Sequence, residues 1–179
     1  MALRTLFVLV AVMFGSARAA VSQSGWTLAE TARWLETDGT EMAISSSDTS
    51  LTNVRRVSLT SKAVLLLADC RLTITVTDNS GVSGTRTTMQ VPMRDVDAGA
   101  VRLVSRAEGW HDFIYIPGKY FVTIPARAPD SYPFLTITSR AEVRSYLATI
   151  PARDTEAGDL LVGAVRRAAE LCTVPAPPR

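Results

Sequence analysis

The chain has 179 residues, with 19 basic residues, 17 acidic residues, two cysteines and a hydrophobic fraction of 47%. This length suits one domain built around one hydrophobic core. The near balance of opposite charges leaves no electrostatic basis for binding nucleic acid or anionic lipid.

The first 19 residues have the layout of a secretory signal peptide. A positive charge at Arg4 precedes an apolar run at 6–14, and small residues lead up to Ala19, after which we expect cleavage. The apolar run is far shorter than the ~20 residues that a membrane-spanning helix needs. Arg4 and Arg18 leave with the signal, so the basic residues that remain equal the 17 acidic ones in number.

We therefore expect a periplasmic or secreted protein that has no transmembrane segment once the signal is removed. Residues 20–172 form the predicted single domain, and the proline-rich end at 173–179 is predicted to be a disordered tail. Export also brings the two cysteines into a compartment where disulfide bonds form and persist.

In chain order, the first predicted element after the signal is a short helix over 28–37. Thr27 is followed three residues later by Glu30, which is the pattern of a capping box, and Gly39 suits the C-terminal end of the helix. Two tryptophans are expected to cover the contact between this helix and a sheet, Trp26 and Trp34.

A long strand, or two nearly collinear strands, is predicted over 64–77. Its even positions, including Cys70, are apolar and its later odd positions are polar, which is the period of a strand with one buried face. Before it, a short strand is predicted over 42–45, and the polar stretch SSSDTSLTN (45–53) is predicted to be a loop.

Further strands alternate with turns toward the C-terminus. The predicted strands lie at 85–92, at 101–106, on both sides of Pro117-Gly118 and at 134–139, with connections at 78–84, 95–99 and 126–133. The segment 142–150 has helix-forming residues, but it halts at Pro151 and we predict a strand.

An amphipathic helix closes the chain. Apolar residues from Ala157 to Cys172 recur at the i, i+3, i+4, i+7 spacing of one buried stripe, and Asp154 or Thr155 can cap its start. Cys172 and Cys70 both lie on core-facing sides, so in an exported chain we predict a disulfide bond between them. Two separately buried free thiols are the alternative.

These elements predict a single α+β domain. About seven strands, and up to nine, at hairpin spacing indicate an antiparallel sheet that is strongly bent or partly closed into a barrel, with the C-terminal helix packed on it. This order of elements resembles the pleckstrin-homology arrangement, in which seven strands precede a helix. The resemblance covers element order alone, and such a fold hosts many activities.

No constellation of residues predicts catalysis, and we assign no catalytic residue, metal or cofactor. The single histidine, His111, is next to Asp112, but neighbours on a strand point to opposite faces, and the chain lacks a GxSxG motif. Asp95 and Asp97 would need three or four further oxygen ligands to bind calcium. One histidine and two paired cysteines leave too few ligands for zinc.

Aromatic residues concentrate around Pro117-Gly118 and can form an interaction patch. The candidate members are Trp110, His111, Phe113, Tyr115 and Tyr120. The alternative is that alternate members pack into the core while the others shield an edge.

The sequence thus predicts a non-enzymatic exported binding domain whose ligand is an unknown protein, peptide or small apolar molecule. Two alternatives stay open. One is a hydrolase with a dispersed site that includes His111, and the other is an accessory subunit or inhibitor of an envelope complex.

Overall fold

The structure, a computed structural model, describes residues 23–52, 55–79, 85–105 and 119–173. The predicted signal peptide and its cleavage site lie outside the described residues. So do residues 174–179 of the predicted tail and the greater part of the predicted aromatic patch.

Nine described strands form two antiparallel sheets. In chain order they are β1 (Ile44–Thr52), β2 (Arg55–Ala68), β3 (Arg71–Asn79), β4 (Thr85–Pro92), β5 (Arg102–Ser105), β6 (Tyr120–Pro125), β7 (Phe134–Ile137), β8 (Glu142–Ser145) and β9 (Leu147–Ala152). The larger sheet has the order β1-β2-β3-β4-β7-β8 and the smaller one β5-β6-β9. The predicted α+β class is confirmed, with a strand number at the upper end of the predicted range, in sheets that do not close.

The helical elements lie at the two ends of the described chain. They are α1 (Leu28–Trp34), a π-helical turn (Leu35–Gly39), α2 (Thr40–Met42) and α3 (Thr155–Thr173). A 3-10 turn at Gln23–Gly25 precedes α1, and further 3-10 turns lie between strands, at Met93–Asp95, Ala98–Ala100 and Pro129–Ser131. One core cluster combines side chains of both sheets with α3 and the first helical segment.

The first helical segment begins as predicted but runs further. Thr27 N donates to Glu30 Oε2 at 2.7 Å and Glu30 N donates to Thr27 Oγ1 at 3.3 Å, which completes the capping box. Gly39 does not end the helix, because its backbone is helical and the chain continues through α2. Thr40 Oγ1 then accepts a hydrogen bond from Leu65 N, at 3.0 Å, on the side of β2 that faces the helix.

The prediction of one strand, or of two nearly collinear strands, over 64–77 is wrong, because a two-residue turn at Asp69 and Cys70 folds this stretch into the antiparallel β2–β3 hairpin. Both turn residues have left-handed backbones, with φ of 49° and 56°, as the tight hairpin turns that match strand twist require. Ala68 pairs with Arg71 across the turn. Consequently odd positions are buried in β2 and even positions in β3.

The prediction of a loop over 45–53 is also wrong. The chain from Ile44 to Thr52 is the edge strand β1, with Ser46 opposite Thr60 and a register shift near Thr52. The serines and threonines of this segment show no apolar alternation by which a strand could be recognised in the sequence. The β-strand prediction for 142–150 is confirmed by β8 and β9, which are separated by Tyr146 alone.

Helix α3 confirms its predicted position and buried stripe. Asp154 Oδ1 accepts from Ala157 N at 2.8 Å and caps the first turn. Two arginines fasten the helix to the rest of the molecule. The Arg166 guanidinium donates twice to Val101 O, at 2.6 and 3.1 Å, and Arg167 Nε donates to Trp26 O at 2.9 Å.

The predicted disulfide bond between Cys70 and Cys172 is present, with the two Cα atoms 5.6 Å apart. It joins the turn of the β2–β3 hairpin to the last turn of α3. Cys70 therefore contributes from a turn, and not from the buried face of a strand as the alternation suggested. The bond closes a sequence separation of 102 residues.

Candidate functional site

The register of the larger sheet assembles a continuous surface on the side that faces away from the core. Residues paired across neighbouring strands have their side chains on the same face of the sheet. The successive pairings from β2 through β3, β4 and β7 to β8 therefore define two central rows. The first row is Val64, Thr75, Thr88 and Ile137, and the second is Leu66, Thr73, Gln90 and Leu135. We call these two rows, with the four cationic residues described below, the outer face.

The helices lie on the opposite side of this sheet. Leu35 of the π-helical turn belongs to the same core cluster as Leu65 and Leu67 of β2, and these residues alternate with Val64 and Leu66 along the strand. Because successive side chains of a strand point to opposite faces, Val64 and Leu66 point away from the helical layer.

Two aliphatic side chains of the outer face are open to solvent. Val64 is 52% exposed and Leu66 is 48% exposed, in the part of β2 that extends beyond its pairing with β1. Leu135 and Ile137 add partly buried apolar area in the same rows. A single exposed aliphatic residue is ordinary, but a group of them across strands is the kind of surface that contacts partners.

Hydroxyl and amide groups fill the space between these aliphatic residues. The Oγ1 atoms of Thr75 and Thr88 lie 3.5 Å apart on neighbouring strands. Arg71 Nη1 donates to Gln90 Oε1 at 3.0 Å, which holds the arginine along the sheet surface. The centre of the outer face is therefore flat and of mixed polarity.

Four cationic side chains frame this centre. Lys62 and Arg86 both flank Thr77 across the sheet, Arg71 lies at the hairpin end, and Arg144 follows Leu135 in the second row. Among the side chains that the structure describes on this face, Glu142 is the one acid. The two ion pairs found among the described residues lie elsewhere, in Arg153–Asp154 and Arg167–Glu170. The frame therefore carries an excess of positive charge.

A buried carboxyl group lies on the other side of the same sheet. Asp78 is 8% exposed, and burial raises its pKa, while hydrogen bonds from Ser61 and Thr85 act in the opposite direction. The Ser61 hydroxyl donates to Asp78 Oδ1. Asp78 pairs with Ser61 across β3 and β2. Because its pKa is raised, ionisation of Asp78 destabilises the folded sheet.

Replacing Asp78 with asparagine is expected to change how stability depends on pH. The folded state binds the Asp78 proton more tightly than the unfolded state does, so wild-type stability falls as pH rises from the ordinary pKa, about 4, through the raised one. Asparagine can still accept from Ser61 but does not titrate. The variant should therefore gain stability relative to wild type with rising pH, as measured by melting temperature across that range. A difference that stays constant with pH would contradict this.

Only one member of the predicted aromatic patch lies in the described part of the chain. Tyr120 begins β6 opposite Ala152, is half-buried and packs against the core cluster. The Lys119 ammonium lies 5.1 Å from the centre of its ring. The other members, Trp110, His111, Phe113 and Tyr115, lie outside the described residues, so the patch stays a prediction.

Asp97, one of the two aspartates considered above as calcium ligands, caps a turn. Asp97 Oδ1 accepts from Gly99 N at 3.1 Å and caps the 3-10 turn Ala98–Ala100. Within the described ranges, no three His, Cys, Asp or Glu side chains are grouped closely enough to hold a metal ion. Among the helices of the described residues, none combines the length and apolar character that crossing a membrane requires.

A shallow groove of about 260 Å³ lies on the helical side of the molecule. The rings of Trp26 and Trp34 form one wall, with centroids 5.8 Å apart and planes inclined by 51°. The polar lining is Glu30, Arg33, Thr37 and Asp38. Trp34, which was expected with Trp26 at the contact between helix and sheet, packs against the core cluster.

Fold and surface together define a disulfide-linked α+β domain with one open sheet face. Comparison of the chain with protein-family models, with curated proteins and with solved structures gives no match. Function is therefore inferred from the surface of the molecule itself.

Proposed function

We propose that the protein is an exported, non-enzymatic binding domain that contacts a partner macromolecule through the outer face. The observation that carries this proposal is the half-exposure of Val64 and Leu66, which share one face of β2 beyond its pairing with β1. Leaving aliphatic area in water forgoes about 25 cal/mol for each Å² that a partner would bury.

The shape of the outer face favours a macromolecule over a small ligand. Small-molecule sites are concave and enclose the larger part of their ligand, whereas the outer face is one side of a sheet with alternating aliphatic and threonine side chains. Protein–protein interfaces combine apolar and hydrogen-bonding groups and have a polar, solvent-accessible rim, and the outer face has a centre of mixed polarity and a charged periphery. The cationic frame formed by Lys62, Arg71, Arg86 and Arg144 selects a partner whose own periphery is acidic.

Export is supported by two independent features. The sequence begins with the layout of a signal peptide, and the bond between Cys70 and Cys172 is of the kind that persists in oxidising compartments. A disulfide-linked domain of this kind suits the periplasm or the extracellular space.

Site-specific photo-crosslinking in the cell that makes the protein tests the proposed function. A photoreactive amino acid replaces Val64 in one variant and Val143 in the other. The two valines are a matched pair, because both lie in strands of the larger sheet and are 52% and 54% exposed, but Val143 does not belong to the outer face. We expect a discrete covalent adduct from position 64 and a much weaker one from position 143.

Two outcomes would overturn the proposed function. Position 64 could give no adduct in cells where the exported protein is abundant, or positions 64 and 143 could give adducts of equal yield and identical composition. The accessory-subunit alternative shares this surface and differs in the partner, which mass spectrometry of the adduct identifies. The hydrolase alternative depends on His111, which lies outside the described residues.

A further inference from the structure

We propose that the partner of the outer face is a second copy of this chain, which docks through the acidic side of its first helical segment, residues 28–42. This inference rests on the proposed function and names the partner of the same surface. The supporting observations are charge complementarity, apolar complementarity and the opposite placement of the two surfaces.

The first helical segment is strongly acidic. Residues 28–42 contain four acids and one base, Arg33, and all five of these side chains are exposed. The acids are Glu30, Glu36, Asp38 and Glu41. With a neutral mature chain, this excess of negative charge mirrors the excess of positive charge on the outer face.

Apolar surface accompanies the acids on the helical side, as it accompanies the cations on the sheet. The groove formed by Trp26 and Trp34 opens beside Glu30 and Asp38. Half-buried tryptophans next to carboxylates complement Val64 and Leu66 next to arginines, since aromatic and aliphatic contacts supply the centre and ion pairs the periphery. The two surfaces thus both combine apolar area with charged groups, and their charges are of opposite sign.

Pairing of two outer faces with each other is disfavoured. A two-fold symmetric contact places the same patch on both subunits, so Arg86 and Arg144 of one copy would meet the cations of the other. Like charges brought together across an interface cost several kcal/mol. The head-to-tail contact, with sheet against helix, avoids this repulsion.

The geometry gives the contact a direction. The acidic helical segment packs on the core side of the larger sheet and the outer face is on its other side, so each molecule offers one surface of each kind. Contacts of this type generate rings when the rotation closes and open chains when it does not. The outer face, from β2 to β8 and from Lys62 to the hairpin end at Ala68, spans about 20 Å in each direction, from strand spacing and rise, which places the contact at the weak, reversible end of interface sizes.

Sedimentation velocity of the oxidised mature protein tests the inference. Between about 1 µM and about 1 mM, we expect the average sedimentation coefficient to rise with concentration, and we expect added salt to suppress the rise, since screening weakens exposed charge pairs. Two double variants remove charge at exposed positions. The sheet variant is Arg86→Gln with Arg144→Gln, and the helix variant is Glu36→Gln with Glu41→Gln.

Each double variant should weaken association by about tenfold, whereas a control that removes two exposed cations outside the outer face, Arg94→Gln with Arg102→Gln, should associate like wild type. An equimolar mixture of the two variants gives the sharpest result. The sheet variant keeps an intact helical side and the helix variant keeps an intact outer face, so the mixture should form a dimer that grows no further.

The inference is overturned if the wild-type protein stays monomeric throughout this range, if the control loses as much association as the sheet variant, or if the mixture forms no dimer. Its failure is distinguishable from failure of the proposed function. An adduct between position 64 and a different protein would support the proposed binding function and would contradict the inference that the partner is a second copy of this chain.

Discussion

Replacing Cys172 with serine is expected to lower the free energy of unfolding by about 4–5 kcal/mol. The bond to Cys70 closes a sequence separation of 102 residues, and a loop of about that length restricts the unfolded chain by about 4.7 kcal/mol in the loop-entropy description. For a domain of this size, the melting temperature should fall by about 10–20 °C. Chemical denaturation under oxidising conditions measures the effect.

The control compares two substitutions at the other cysteine. Cys70→Ser and Cys70→Gly both abolish the bond, but the left-handed backbone at this position, with φ of 56°, costs a non-glycine residue about 1–2 kcal/mol. Cys70→Gly should therefore be more stable than Cys70→Ser by about 1 kcal/mol. Equal stability of these two variants would mean that the turn relaxes once the bond is lost. A Cys172→Ser protein as stable as wild type would contradict the main prediction.

Gly158→Ala is expected to destabilise the protein by about 1–3 kcal/mol, the usual cost of overpacking a filled core. In α3 a methyl group at this position would overlap Leu103 Cδ1 and lie 2.8 Å from Cδ2 and 3.1 Å from Cγ. Gly158 is buried, so neither the helix nor β5 can yield without losing contact. Thermal unfolding of the variant provides the measurement.

Gly163→Ala is the matched control, because both glycines lie in the interior of α3. There the added methyl group would meet the tip of the Gln23 side chain, with Cδ at 3.3 Å, and a flexible polar side chain can move. The gain in helix propensity, about 1 kcal/mol, offsets the loss of the bond from Gln23 Nε2 to Leu160 O. If Gly163→Ala were as destabilising as Gly158→Ala, contact with Leu103 would not be the cause.

Local patterns in the sequence predicted the elements whose signals are confined to one segment. The stripe of α3 and the capping box at Thr27 depend on spacings of three and four residues, which the sequence displays directly. The cystine was predicted from export and a count of two, although the local geometry at Cys70 was not. Helix periodicity and capping can be read from the sequence because they depend only on residues close together in the chain.

The hairpin turn was missed because its residues do not carry the usual signal. Asp69-Cys70 has no glycine, although tight hairpin turns favour one, and Val64 to Leu67 are apolar on both faces of β2. The apolar even positions of β2 and of β3 therefore form one alternating pattern in the sequence, although the turn places them on opposite faces of the sheet. The unbroken apolar run was itself a signal, since a strand with one face toward the core has no need of aliphatic residues on the other.

The outer face could not be predicted because it depends on register. Val64 and Ile137 share one row only through the pairing of β2, β3, β4 and β7, and pairing between strands distant in sequence is not recorded in the composition of any one of them. A slip of one residue would turn Val64 inward and Leu65 outward.

The hydrogen bond from Leu65 N to Thr40 Oγ1 has a consequence for how molecules of this kind can meet. Unsatisfied amides along a sheet margin act as templates on which a foreign polypeptide can extend the ladder, a route to fibrils. Here the Thr40 hydroxyl accepts the hydrogen bond of the Leu65 amide, which lies between the half-exposed Val64 and Leu66. Another molecule can therefore contact the exposed side chains of Val64 and Leu66 but cannot bond to this backbone amide, which favours reversible binding over templated strand addition.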